Sequence, residues 1–228
     1  WVSIIWCVVH CAWCTVLVLT LIYYFCHCES LQSRAEAISE SGIATHRMNL
    51  GPYSQEHPYA LWRGPVRAVT GVRRGDAPEV LLNARDAVFA REPAGYRVLL
   101  NPLLDLPEEH NAAVRNLSPK ERKDLNFAML GRAFKAAGPR LLLCDNLHYA
   151  DPLSLQLLAF LLEDAEEAPW RLVGALRPSL ASAEMPEHLE NLAVPPLSPQ
   201  GVEALLLAGH GLSDVPKEVL AWFAERSG

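Results

Sequence analysis

The 228-residue sequence predicts an α/β fold, a parallel sheet flanked by helices, and three observations carry that prediction. Leu141-Leu142-Leu143-Cys144 is too short a run for a helix and is bounded upstream by Gly138-Pro139, so it reads as a buried strand with Asp145 at its C-terminal tip. A second strand-like run, Trp170 to Leu176, follows a leucine-rich segment of helical length. Ahead of both, Ser118-Pro119-Lys120-Glu121 combines a capping box with proline at the first helical position, a strong helix start.

The elements follow in order. Leu31, Ala35 and Ile38 at helical spacing predict a short helix ended by Ser41-Gly42, and Ile43 to Met48 then reads as a strand. Tyr53 to Arg63 is an aromatic turn leading into a helix through Val66, Val69 and Val72, with Trp62 as its packing anchor. Gly71 to Pro78 is a loop, Glu79 to Ala90 a helix, Arg91 to Gly95 a break, and Leu99 to Pro107 an irregular connector. The helix from Ser118 should reach Ala136 or Ala137, with Leu125, Met129, Ala133 and Phe134 on its core face and Lys120, Arg122 and Lys123 solvated. Asp151-Pro152 repeats the cap-plus-proline pattern, which gives Asp151 a capping role. Leu192 to Pro196 suggests a last strand, and Ser198-Pro199 and Val215-Pro216 each begin a helix.

Composition narrows the function. With 20 basic against 26 acidic residues and a net charge of -6, the chain offers no basic footprint for nucleic acid. Trp1 to Cys28 contains no Asp, Glu, Lys or Arg and holds five of the six cysteines, and it is long enough to be a transmembrane helix. It lacks the charged start of a signal peptide, and the chain opens on Trp rather than Met, as expected of a fragment. Cys7, His10, Cys11 and Cys14 have spacings a zinc site can use, with His27 and Cys28 further on, but the apolar setting supplies little polar support, so reduced, unliganded thiols are expected.

An acid at a strand tip sits where open parallel sheets bind ligands, and one fixed carboxylate suffices to anchor a hydrated Mg²⁺. Leu-Leu-Leu-Cys-Asp145 alone is as readily a structural turn. Its continuation, Leu147-His148-Tyr149-Ala150-Asp151-Pro152 and the leucine-rich run Ser154 to Leu162, resembles the Walker B region of STAND-type signalling ATPases of the AAA+ superfamily. The resemblance covers roughly Leu31 to Gly228. It implies a P-loop NTPase-like α/β domain over 29–197, the start of a helical lid over 198–228 and a separate apolar segment over 1–28.

The same resemblance implies ATP and Mg²⁺ as cofactors, with Asp145 as the metal and nucleotide ligand and Arg177, after Val173-Gly174-Ala175-Leu176, as a sensor-like contact to the terminal phosphate. Asn146 stands where a second acid orients water in a competent relative; an amide cannot take a proton, so slow hydrolysis is expected. Asp145, Asn146 and Arg177 are the candidate catalytic set. Partners would be the nucleotide and output domains outside this stretch, in the cytoplasm, with membrane association if residues 1–28 are native.

The largest departure is the phosphate loop. No glycine precedes Gly42 and no lysine precedes Lys120, so Gly-x-x-x-x-Gly-Lys-Ser/Thr cannot be built upstream. Natural loss, replacement by a membrane anchor, or a misread N-terminus each explain this, the last being favoured by the abrupt Cys/Trp-rich composition. A non-catalytic scaffold that keeps the ATPase fold is the competing expectation.

Overall fold

One mixed sheet organises the computed structural model, which describes residues 2–6, 44–109, 111–138, 140–163, 170–177, 189–194 and 216–226 with scattered positions between 185 and 207. Its strands are β1 (Val2–Trp6), β2 (Ala44–Asn49), β3 (Arg140–Asp145), β4 (Trp170–Leu176) and β5 (Glu190–Val194), in the spatial order β2-β3-β4-β1-β5. Strands β2, β3 and β4 are parallel, in a register that sets Asn49 beside Asp145 and Cys144 beside Gly174. The parallel α/β core expected from sequence is therefore present.

Two expectations need correction. The sheet is not wholly parallel, because β1 runs antiparallel to both its neighbours, pairing Ser3 with Leu176 and Val2 with Val194. Hydrophobicity identifies a strand but carries no information on its direction, and an apolar run satisfies its backbone groups either way. Within the apolar segment 1–28, Val2–Trp6 is a strand of the sheet and not part of a membrane-length helix. Among the described residues no helix is long and apolar enough to cross a membrane. Residues 7–28, with the cysteine and histidine candidates, and the helix expected over Leu31 to Ser41 lie outside the described residues.

The helices are α1 (Ala60–Thr70), α2 (Pro78–Val88), α3 (Ala112–Arg115), α4 (Pro119–Ala136), α5 (Pro152–Glu163) and α6 (Lys217–Arg226), with 3-10 turns at Pro52–Glu56, Ala94–Leu103 and Leu147–Tyr149. Helix α4 begins with the expected capping box: the Ser118 hydroxyl accepts the Glu121 N–H, and Glu121 accepts the Ser118 N–H at 2.7 Å. Gly138, at φ 79, provides the left-handed turn that lets the chain leave α4 for β3. The buried face of α4 is formed by Asn126, Phe127, Met129, Leu130 and Phe134, so it is rotated relative to the expected one, and Leu125 is only half-buried. Large aromatic side chains at 127 and 134 determine which stripe turns inward.

Trp62 is the anchor of α1. Its ring is fully buried, 5.5 Å from Phe134 and 6.5 Å from Trp170 between centroids, and its indole N–H donates to the Ser154 carbonyl at 3.0 Å. Leu141 to Cys144 of β3 and Leu155, Leu157 and Leu158 of α5 complete the core, each leucine worth about 1.5–3 kcal/mol of burial. The irregular connector is held by a buried polar chain in which Arg85 donates to Asn101 Oδ1 at 2.5 Å and Asn101 Nδ2 donates to the Pro107 carbonyl at 2.8 Å. Helix α6 begins where Val215-Pro216 placed it, but Val219 and Trp222 on it are exposed.

Candidate functional site

The C-terminal rim of the three parallel strands gathers the residues singled out from sequence. The strand β3 is buried from Leu141 through Cys144 and emerges at half-buried Asp145. Asp145 Oδ1 accepts the Asn146 N–H at 2.9 Å, a local turn that fixes the carboxylate, while its main-chain carbonyl accepts the Leu50 N–H at 3.2 Å. Part of the structural-turn reading is thus realised in the same group. The second carboxylate oxygen has no hydrogen-bond partner among the described residues.

Asn146 adopts left-handed backbone, φ 58 and ψ 42, a conformation Asn tolerates better than most side chains. Its amide nitrogen donates to Asn49 Oδ1 at 3.2 Å, tying the tips of β2 and β3 together. Arg177 lies just past β4, exposed, at the same end of the sheet. Between it and Asp145 stands His148, whose Nδ1 accepts the Arg177 N–H at 3.3 Å. That hydrogen bond requires a neutral ring with its proton on Nε2. Burial holds the His148 pKa below its ordinary value, the Arg177 charge pushes it the same way, and the Asp145 charge opposes both.

Asp145, Asn146 and Arg177 therefore share one rim, though only Asp145 and Asn146 are in direct contact. Cys144, one residue before the tip, is buried, and burial followed by the Asp145 charge pushes its thiol far up, so it offers no thiolate. Ala175, at the position where the resembled motif has threonine, is buried in β4 and supplies no hydroxyl.

Asp151 is where the sequence placed a cap, and it does more than cap α5. Its Oδ1 accepts the Ser154 N–H at 3.0 Å, the expected bond. The same carboxylate also accepts the N–H groups of Tyr59 at 3.0 Å and Ala60 at 2.9 Å, at the start of α1, and the Ser154 hydroxyl at 2.5 Å. Two helix starts are served by one buried anion, which takes Asp151 out of any direct chemistry.

Two rim residues were given no role in the sequence reading. His148 lay inside the quoted motif without an assigned task, and Asn49 gave no signal beyond its place at the end of a strand. Among the described residues no group of three or more His, Cys, Asp and Glu side chains could hold a metal ion. A Mg²⁺ held by one carboxylate, with water and phosphate oxygens completing its shell, fits the unshared oxygen of Asp145 and the neighbouring amides of Asn49 and Asn146. On the phosphate side, Arg177 follows β4, and Asn49 also borders a cleft that holds Arg47, Arg63, Arg67 and Arg74. No protein-family model, curated protein or solved structure matches the chain.

Proposed function

We propose that this chain is a nucleotide-responsive module of the P-loop ATPase type, an ATP-binding switch within a larger regulatory protein, with weakened binding and slow hydrolysis. The observation that carries the reading is the rim itself. Asp145 leaves a buried parallel strand with one carboxylate oxygen uncommitted, and Arg177 leaves the adjacent strand at the same end, with His148 between them. In this reading Asp145 anchors Mg²⁺ and Arg177 contacts the terminal phosphate of ATP, so bound and empty states differ in the contacts made by β3 and β4. Asn146 positions water without taking its proton, which removes a contribution typically worth about 10² to 10⁴ in rate.

A second reading, a non-catalytic scaffold that keeps the ATPase fold, is favoured by the direction of β1. Running antiparallel, β1 begins at the Asp145 end of the sheet, with Ser3 beside Leu176, and heads away from the rim, with Trp6 beside Val173. A strand that leads into a phosphate loop at the rim would instead run toward Asp145, as β3 does.

Calorimetric titration of the whole chain with Mg-ATP separates the two. The switch reading expects saturable heat that Asp145→Ala abolishes and Arg177→Ala weakens, with both variants retaining the wild-type circular dichroism spectrum. No heat from the wild-type chain at millimolar Mg-ATP would leave the scaffold reading standing.

A further inference from the structure

A cleft of about 450 Å³ lies between the edge strand β2 and helix α1, lined by Arg47, Arg63, Arg67, Arg74, His57 and Ser54 with Asp105 as its one acid, and it borders the rim at Asn49. We propose that this cleft binds a phosphate-bearing polyanion, at a site separate from Asp145 and Arg177. Its volume falls within the roughly 300–1,000 Å³ of small-molecule sites.

Charge and hydrogen bonding both point to an anion. Four guanidinium groups face one carboxylate, a local excess of positive charge on a chain whose net charge is -6. A basic cleft on an acidic protein concentrates anions against the molecule's overall field. Asp105 is held in left-handed backbone at φ 57 and pairs with Arg63 at 3.2 Å and with Arg67. That arrangement fixes the two guanidinium planes without neutralising the exposed Arg47 and Arg74. Arg63 also has a buried Nε with no hydrogen-bond partner among the described residues. Buried donors are almost always satisfied, and a planar guanidinium fork suits the oxygens of a phosphate.

The elements explain why these residues meet. Arg63 and Arg67 stand four apart on α1 and so share a helix face, while Arg47 lies on β2 two residues before Asn49, on the same side of the strand. Arg74 follows the left-handed turn at Gly71 that brings the chain back from the end of α1. Lysines would supply charge here but not fixed planar donors.

The test uses the full chain in EDTA, where magnesium-dependent binding at the rim cannot contribute, with tripolyphosphate as the probe and citrate, at matched ionic strength, as a carboxylate polyanion. Tripolyphosphate should bind saturably at low salt and raise Tm, more strongly than citrate. Arg47→Glu with Arg74→Glu, both on exposed side chains and outside the Asp105 pairs, should weaken it by about tenfold or more. Asp145→Ala and Arg177→Ala should leave it unchanged, so failure here is distinguishable from failure of the ATP reading. Arg63→Lys, which keeps the charge, should lose affinity by removing the planar fork. Absence of binding, equal binding of citrate, or indifference to the Arg47 and Arg74 reversals would overturn the proposal.

Discussion

Asp151 and Tyr59 are 92 residues apart in sequence, yet the Asp151 carboxylate accepts the Tyr59 main-chain N–H at 3.0 Å inside the core. With the neighbouring bond from Ala60 at 2.9 Å, this makes one aspartate the common cap of α1 and α5. Asp151→Ala would strand donors at both helix starts. A single cap is worth about 1 kcal/mol and a buried unsatisfied donor about 1–3, so the expected loss is roughly 2–4 kcal/mol in urea denaturation. Asp151→Asn, which keeps one acceptor, should cost less. A cost of under about 1 kcal/mol for the alanine variant would show that the shared cap is not stabilising.

The site is also sensitive to one glycine. A Cβ at Gly174 of β4 would come within 2.8 Å of Leu147 Cδ2, in the buried 3-10 turn that carries His148. Gly174→Ala should therefore destabilise the fold by about 1–3 kcal/mol, the usual scale of overpacking. Thermal denaturation of the double variant with Leu147→Ala should show less than the summed loss of the two single changes, because the smaller side chain makes room for the new methyl. Strict additivity would place the strain elsewhere.

His148 makes stability depend on pH with a definite sign. Its folded-state pKa lies below the ordinary value, by burial and then by the Arg177 charge, so the unfolded chain takes up a proton first as pH falls. Stability from this group is complete above about pH 6.5 and is lost as pH drops toward the depressed folded value. His46 adds a slope of the same sign, since burial and the adjacent Arg140 also lower its pKa. Urea denaturation at pH 7.5, 6.5 and 5.5 should show a shallower acid-side decline for His148→Asn than for the wild type. Parallel declines would remove His148 from the account.

A surface ion pair provides a contrast. Arg132 meets Glu92 through two bonds of 2.7 Å, but the arginine side chain is 59% exposed. The Arg132 hydrogen bond holds the Glu92 carboxyl below its ordinary range, so the pair's contribution is present near neutrality and lost on acidification. Because solvent screens it, Arg132→Ala should cost no more than about 1 kcal/mol in the same denaturation assay. A larger cost would mean the pair is tied into the core through Glu92.

Much of the parallel core was legible because local signals agreed with the fold. The leucine run ending at Asp145, the capping box at Ser118 and the Asp151-Pro152 start each became the element they indicated. What the sequence hid was non-local. Nothing near Asp151 announces that it also caps the helix after Tyr59, and nothing in Val2–Trp6 tells the direction in which that strand enters the sheet. The arginine cleft was hidden for the same reason, since Arg47, Arg63 and Arg74 are scattered in sequence and only the i, i+4 spacing of Arg63 and Arg67 is a local hint.

The placement of β1 between β4 and β5 sets a practical limit on shortening the chain. Since β5 joins the sheet through the ladder from Val2 to Trp6, trimming those first few amino acids detaches the outermost strand along with them. An N-terminally clipped sample would thus present β4 as a newly bared border, prone to recruiting neighbouring molecules, and its clumping would say nothing about nucleotides.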